Sequence, residues 1–190
     1  MIGFAVLVLV FVLLVCYGVA LYNGLVRARN EVKLSWSNID VLLAQRHDEL
    51  PKLIEVCRRY MQHESETLER VAQARSAVDT ARSSGDVSSV SRAESALRTG
   101  LSGLYAVAER YPNLKADALF QNLQARVSGL ETAIADRREV YNEAANAQNV
   151  RVETFPDSVV AGFFDFAPAR LLKFAADEKS NVDVKAAFGG

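Results

Sequence analysis

The stretch MIGFAVLVLVFVLLVCYGVALY, residues 1–22, determines the architecture of this 190-residue chain. It consists almost entirely of Val, Leu, Phe and Ala, and the first charged side chain is Arg27. A helix of about 22 residues is roughly 33 Å long, which is enough to cross a hydrocarbon core of about 30 Å. The sequence therefore predicts an all-α protein that begins with a single-pass transmembrane anchor at residues 1–22.

A cleaved signal peptide and a buried core helix are the two alternatives to a retained anchor. Gly18-Val19-Ala20 resembles a small-x-small cleavage site, but Met1-Ile2-Gly3 lacks the basic residues with which a signal peptide normally begins. We therefore expect the segment to be retained in the membrane.

The charges that flank the anchor indicate which side of the membrane the rest of the chain occupies. Arg27, Arg29 and Lys33 follow the span, and no basic side chain precedes it. Basic residues favour the cytoplasmic side, although long domains can translocate despite them. We expect a cytoplasmic domain at a cell inner membrane, with the periplasm as the alternative.

The overall charge balance argues against nucleic acid as a partner. The chain has 22 basic and 23 acidic side chains and a formal net charge of -1. A nucleic-acid-binding surface normally requires a basic stripe, which this sequence lacks. Its two cysteines, Cys16 in the span and Cys57 beyond it, form no disulfide framework.

Residues 23–150 carry apolar residues at spacings of three and four, which predicts helices that pack along narrow apolar stripes. The predicted helices cover about 23–47, 50–83, 86–111 and 115–149. Ser83-Ser84-Gly85-Asp86 and Tyr111-Pro112-Asn113 are predicted breaks. We expect an antiparallel up-and-down four-helix bundle, with Asp48 and Pro51 starting the second helix. The alternative is a three-helix bundle whose long first helix is merely kinked at Pro51.

The C-terminal region combines phenylalanines with helix breakers. Its rings are Phe155, Phe163, Phe164, Phe166 and Phe174, and they are interrupted by Pro156, Gly162 and Pro168. Residues 151–176 are therefore predicted to pack on the bundle end or on the membrane, and 177–190 to form a loose tail. We predict Phe163, Phe164 and Phe166 to be the residues that contact lipid or a partner.

Several blocks, in order, resemble the LemA family. They are Tyr22-Asn23-Gly24-Leu25-Val26-Arg27-Ala28-Arg29-Asn30, Ser35-Trp36-Ser37-Asn38-Ile39-Asp40-Val41, Leu50-Pro51-Lys52-Leu53-Ile54-Glu55, Tyr60-Met61-Gln62-His63-Glu64, Tyr111-Pro112-Asn113-Leu114-Lys115-Ala116, Arg138-Glu139-Val140-Tyr141-Asn142 and Phe155-Pro156. The resemblance implies a bacterial single-pass membrane protein whose soluble part is a helical bundle. Where the family tends to repeat a Tyr-Asn pair, this chain has Gln148-Asn149.

Polar residues on or beside the apolar stripes are the candidate structural network. Asn23 and Asn30 are seven residues apart, as are Asn142 and Asn149, so each pair lies on one helical face. We predict a ladder of these amides between the first and last helices, with a ligand or ion site as the alternative reading. The remaining members of the predicted network are Arg29, Asp40, Glu64 and Arg138. We expect Trp36, Asp40, Asn142 and Pro156 to be needed for the integrity of the fold.

Reaction chemistry has little support in the sequence. His63-Glu64 would need a second histidine at position 67 for a zinc-protease pattern, and Thr67 stands there. Cys57 lies on an apolar stripe, where a thiol is usually a small buried hydrophobe. We therefore expect no catalytic, cofactor-binding or metal-binding residues, no cofactor and no enzymatic activity.

These observations predict a membrane-anchored helical scaffold or adaptor that acts by protein–protein or protein–lipid contact. Its expected partners are the lipid bilayer, through the N-terminal span, and an unidentified membrane or cytoplasmic protein. Self-association is a further expectation. The alternative function is an accessory or regulatory subunit of a membrane protease or a secretion or signalling machine.

Overall fold

The computed structural model describes residues 1–172, and every regular element among them is a helix. The helices are α1 (Ile2–Tyr60), α2 (Ser65–Ser84), α3 (Val87–Ala108), α4 (Pro112–Lys115), α5 (Ala118–Glu153) and α6 (Asp157–Phe163). The all-α prediction is confirmed. The predicted tail 177–190, together with Phe174, lies outside the described residues.

Helix α1 begins with the predicted anchor. The large apolar side chains from Ile2 to Val19 are exposed, so no part of the described protein covers them. By length and composition, the segment is apolar enough to cross a membrane. Apolar side chains that are exposed on every side of a helix are typical of a helix surrounded by lipid.

The predicted helix boundary between residues 47 and 50 is wrong, because α1 continues through Pro51 to Tyr60. Pro51 has no amide hydrogen, so it cannot donate to the carbonyl oxygen of His47 four residues earlier. Arg75 of α2 provides the missing donor, since its Nε donates to that oxygen at 3.0 Å. A tertiary contact therefore compensates for the proline inside the helix.

Helix α1 instead ends at Tyr60, and residues 61–64, inside the second predicted helix, are not helical. Neither Gly nor Pro occurs there. Glu64 is held at this break by Arg110, whose Nη2 donates to Glu64 Oε1 at 3.0 Å, and by the hydroxyl of Tyr111 at 3.3 Å. The alternative prediction of a long first helix is correct in that α1 continues past Pro51, but this helix ends at Tyr60. The up-and-down four-helix arrangement stays a prediction.

The turn between α2 and α3 follows its sequence signals. Gly85 adopts a left-handed conformation with φ of 68°, which glycine accepts without steric cost, and its amide donates to the Arg82 carbonyl. Asp86 caps α3 by accepting from the amides of Ser88 and Ser89. The break at Pro112 is also confirmed, where the short helix α4 begins.

The chain divides into two compact units. The anchor unit comprises Met1–Ile39 and Asp136–Leu171, and the core unit comprises Asp40–Ala135 and Leu172. The core unit contains the larger apolar core, which draws on α1, α2, α3, α4 and α5. The anchor unit has a small core built on Leu25, Ala161 and Phe166. Burial of a large apolar side chain stabilises by about 1.5–3 kcal/mol, so both cores contribute substantially.

Candidate interaction surface

In the anchor unit, the segment after α5 folds back and packs Phe166 against α1. Phe166 is 7% exposed and contacts Leu25 and Ala161 in the small core. Its ring meets the ring of Tyr22 edge-on at 5.7 Å, and the guanidinium carbon of Arg29 lies 5.0 Å from its centre. The segment therefore packs on the helices through Phe166, which is buried and is not an exposed contact residue.

Three side chains of α5 hold residues 167–170 through the main chain. Gln148 Nε2 donates to the Ala167 carbonyl at 2.9 Å, and the Tyr141 hydroxyl donates to the Arg170 carbonyl at 2.8 Å. Asn149 both donates to and accepts from the main chain of Ala169. These side-chain groups satisfy main-chain polar groups of a segment in which Pro168 disfavours a helix. The result is an extended segment fixed along α5.

Arg151 fixes the start of α6 from the same helix. Its Nε donates to Asp157 Oδ2 at 2.9 Å, and its guanidinium group lies directly against Gly24 of α1. A Cβ atom at position 24 would lie only 2.2 Å from Arg151 Nη2. A side chain at position 24 would therefore have to displace the flexible end of Arg151 from this space.

Four large apolar side chains of residues 155–164 stay exposed, and we call them the apolar corner. They are Phe155 at 78%, Val159 at 64%, Phe163 at 83% and Phe164 at 54% exposure. The first three are spaced by four residues, and the rings of Phe163 and Phe164 pack edge-on at 5.1 Å. Phe164 also contacts the ring of Tyr22 at 4.8 Å. Contiguous exposed apolar surface of this kind often marks a site of membrane or protein contact.

The predicted ladder of amides differs from the arrangement observed. Asn23 and Asn30 are exposed on α1, and Asn149 pairs with Ala169 instead of an amide on another helix. Arg138 is buried and Asn142 is half-buried on α5. The ladder is therefore wrong for its two members on α1. Asn149 instead uses both polar atoms of its side chain to bind the main chain of the folded-back segment.

The two members of the predicted network in the core unit each have a charged partner. Arg82 Nε donates to Asp40 Oδ1 at 2.8 Å, and this contact is the main reason that the pKa of Arg82 is raised. Glu64 is bound by Arg110 and Tyr111, as described above. Trp36, in the anchor unit, packs edge-on against Tyr141 at 5.8 Å. The peptide bond before Pro156 is cis.

The sequence reasoning missed a buried ionic cluster in the core unit. Arg46, only 2% exposed, pairs with Glu94 of α3, and the equally buried Glu49 accepts from Arg126 Nη2 at 2.6 Å. Glu131 Oε1 is buried without a hydrogen-bond donor, and burial raises the pKa of that carboxyl. A signal was available, because Arg46 lies on the stripe of Leu43 and Leu50 at spacings of three and four.

The structure places Cys57 and the two histidines in different environments. Burial raises the pKa of the Cys57 thiol to about 12, so the thiolate that would act as a nucleophile is scarce at neutral pH. His47 lies with its Nε2 2.6 Å from Arg75 Nη2, and His63 is exposed at the break after α1. Among residues 1–172 no three potential metal ligands are grouped together.

Comparison with known proteins gives two matches. The model of the LemA family matches residues 35–186. A curated relative, Protein LemA of Metamycoplasma hominis (strain ATCC 23114 / DSM 25592 / NBRC 14850 / NCTC 10111 / PG21), is 30% identical over 164 residues. That alignment covers 85% of this chain and 72% of the relative.

Proposed function

This chain belongs to the LemA family, and from that premise we propose that it is a membrane-anchored scaffold or adaptor. It acts by contact with lipid or protein and not by catalysis. The observation that carries the proposal is the exposed apolar N-terminal segment of α1, residues 2–22, which continues without a break into the rest of the helix. Insertion of this segment into a bilayer holds the folded part of the chain at the membrane surface.

The apolar corner supplies the contact surface in this proposal. Its side chains are exposed, whereas Phe166, in the same segment, is buried. One ring of the segment therefore packs in the core while the others face outward. Aromatic rings fixed on a rigid support are effective contact residues, because little conformational entropy is lost when they bind. The Arg151–Asp157 ion pair holds the start of α6, and hydrogen bonds from Gln148, Asn149 and Tyr141 hold the segment that follows the corner.

We propose a bacterial inner membrane as the location and the cytoplasm as the side that holds both cores. The basic residues Arg27, Arg29 and Lys33 after the span favour this orientation. Reporter fusions at the C-terminus test it. A green fluorescent protein fusion is expected to fluoresce, and an alkaline phosphatase fusion is expected to be inactive. The reverse pattern would place the domain in the periplasm.

Membrane anchoring is tested by charges placed in the span. The double variant Phe11→Arg and Leu14→Arg should prevent insertion, because each arginine costs about 2.5–3.5 kcal/mol at the centre of an inserted helix. The matched control is Leu34→Arg, which changes an exposed apolar residue of α1 beyond the span. We expect only the double variant to leave the membrane fraction during carbonate extraction. Equal extraction of both variants and the wild type would refute the anchor.

Contact through the apolar corner is tested by photocrosslinking in native membranes. A benzoylphenylalanine at position 163 is expected to form adducts, whereas the same group at the exposed Val140 on α5 is not. Adducts of equal yield at both positions would argue against a dedicated contact surface. The accessory-subunit alternative stays a prediction. It requires one protein adduct of constant mass and disappearance of that adduct when the partner is deleted.

A further inference from the structure

We propose that the apolar corner is immersed in the interfacial layer of the same bilayer that α1 crosses, so that phospholipid is its occupant. The anchor unit would then hold the membrane at two places, the span and the corner. This inference rests on the proposed membrane anchoring. It goes further by naming the partner of the corner.

The length of α1 places Tyr22 at the edge of the hydrocarbon core. From Ile2 to Tyr22 the helix is unbroken, and its rise over these residues is about 30 Å, the thickness of a typical hydrocarbon core. Tyrosine is also common at this depth, because its ring is apolar and its hydroxyl reaches water. The first charged side chain, Arg27, is exposed more than one turn further along.

Contact with Tyr22 places the apolar corner at the same depth in the bilayer. The centres of the Tyr22 and Phe164 rings are 4.8 Å apart, and Phe163 packs on Phe164. Side chains on a helix lean toward its N-terminus, so the ring of Tyr22 lies on the membrane side of its own Cα atom. Phe164 therefore meets α1 at the level where the lipid begins.

The course of α5 brings Phe155 to this level as well. Trp36 contacts Tyr141, and Gly24 contacts Arg151, so the C-terminal part of α5 runs antiparallel to α1 and toward the anchor. Phe155 follows Arg151 by four residues, which extends the chain by about 6 Å if it keeps a helical rise. Thr154 still makes the helical bond to the Val150 carbonyl at 2.9 Å, so the helical course persists almost to Phe155.

The composition of the corner favours contact by insertion of apolar side chains over electrostatic attraction. The exposed Asp165 follows Phe164 directly, with a φ of 57° that turns the chain between the exposed Phe164 and the buried Phe166. The four side chains of the corner are themselves uncharged, so their burial among acyl chains does not require anionic lipid. We therefore expect contact in neutral and in anionic membranes.

The experiment uses full-length protein with the change Phe163→Trp, reconstituted into vesicles of phosphatidylcholine brominated on the acyl chains. Bromine quenches tryptophan emission only at close range, so quenching reports contact with acyl chains. The wild type supplies the background, because Trp36 is its only tryptophan. Trp36 lies about 21 Å beyond Tyr22 along α1. The matched control is Val140→Trp, next to Tyr141, which packs on Trp36.

We expect the brominated lipid to remove most of the emission added by Phe163→Trp and to leave that of Val140→Trp unchanged. Adding phosphatidylglycerol to the vesicles should not alter the difference. Phe155→Trp is the second variant, and its added emission should also be lost.

Emission from positions 155 and 163 that resists bromine, in protein that floats with the vesicles, would overturn the inference and leave the anchoring intact. Protein that fails to float with the vesicles would refute both. Crosslinking between two copies at position 163, without quenching, would overturn lipid contact in favour of self-association.

Discussion

Asn149 on α5 forms two hydrogen bonds with the main chain of Ala169. Its side-chain nitrogen donates to the Ala169 carbonyl at 3.0 Å, and its side-chain oxygen accepts from the Ala169 amide at 2.6 Å. One amide side chain thus acts as a neighbouring strand would, by meeting both polar groups of a single residue. This pairing fixes the returning segment whose turn exposes the apolar corner.

Replacing Asn149 by Ala should loosen this segment. Each lost hydrogen bond is expected to cost about 1 kcal/mol, which lowers the stability by about 2 kcal/mol. The matched control is Asn146→Ala, which removes an exposed amide from the same helix. We expect trypsin to cleave after Arg170 faster in Asn149→Ala only, as measured on full-length protein in detergent micelles. Equal cleavage rates in the two variants would mean that the pairing does not hold the segment.

The contact between Arg75 and the carbonyl of His47 should matter only because residue 51 is proline. Arg75→Ala leaves that carbonyl without a donor, and an unsatisfied buried group costs about 1–3 kcal/mol. In a Pro51→Ala background the new amide can make the missing helical bond. We therefore expect the loss of thermal stability caused by Arg75→Ala to shrink when Pro51→Ala is also present. A double-mutant cycle measures this, and strict additivity would contradict it.

Breaking the buried pair of Arg46 and Glu94 should be among the most damaging single changes. Glu94→Ala leaves an uncompensated buried guanidinium group, at a cost of about 3–5 kcal/mol. The matched control is Glu66→Ala, which breaks an exposed pair with Arg70 and should alter stability by less than about 0.5 kcal/mol. Thermal unfolding followed by circular dichroism compares the two.

Replacement of both partners distinguishes burial of charge from packing. Arg46→Met combined with Glu94→Leu should recover most of the stability lost in Glu94→Ala, because neither charge then remains buried. If the double variant is as unstable as Glu94→Ala, the two charged groups themselves are needed for the packing.

Glu131 should make the stability of the core unit depend on pH. Burial, the largest cause, raises the pKa of this carboxyl above its ordinary value of 4.5; the positive charges of Arg46 and Arg98 oppose the shift, and Glu94 adds to it. The folded state therefore holds the proton to higher pH than the unfolded state does. Stability is full below the ordinary pKa and is lost as the pH rises through the folded pKa.

Glu131→Gln should remove this dependence. Its unfolding temperature is expected to exceed that of the wild type at about pH 8 and to approach it at about pH 4, where the wild-type carboxyl is increasingly protonated. The control is Glu139→Gln, which removes an exposed negative charge from the same helix. A pH profile of Glu131→Gln that runs parallel to the wild type would show that this carboxyl does not titrate with folding.

Local signals predicted the helical class, the long apolar N-terminal helix and the turn at Gly85-Asp86 correctly, because each of these depends on residues close together in the chain. The continuation of α1 through Pro51 and its end before residues 61–64 could not be predicted in the same way. Pro51 is accepted because Arg75, from another helix, supplies a hydrogen bond. The break at Glu64 is held by Arg110 and Tyr111, which are distant in sequence.

For the candidate surface, the sequence pointed to the right segment but not to the right division of its residues. Phe163, Phe164 and Phe166 are the same type of residue and lie close together in the sequence, yet only Phe166 is buried. The turn at Asp165 directs these rings differently, and no local pattern encoded it. Gln148 replaces an aromatic that the resemblance led us to expect, and it holds the Ala167 carbonyl instead.

By itself, the sequence determined that the chain is helical, that its first 22 residues suit a membrane and that its charges nearly balance. These properties follow from composition and periodicity, which act on each segment independently of the rest of the molecule. Only the tertiary structure decided where α1 ends, which carboxylates are buried and which phenylalanines face outward. Those outcomes depend on which side chains meet across the fold, and hydrogen bonds and burial between distant residues outweigh the weaker local preferences.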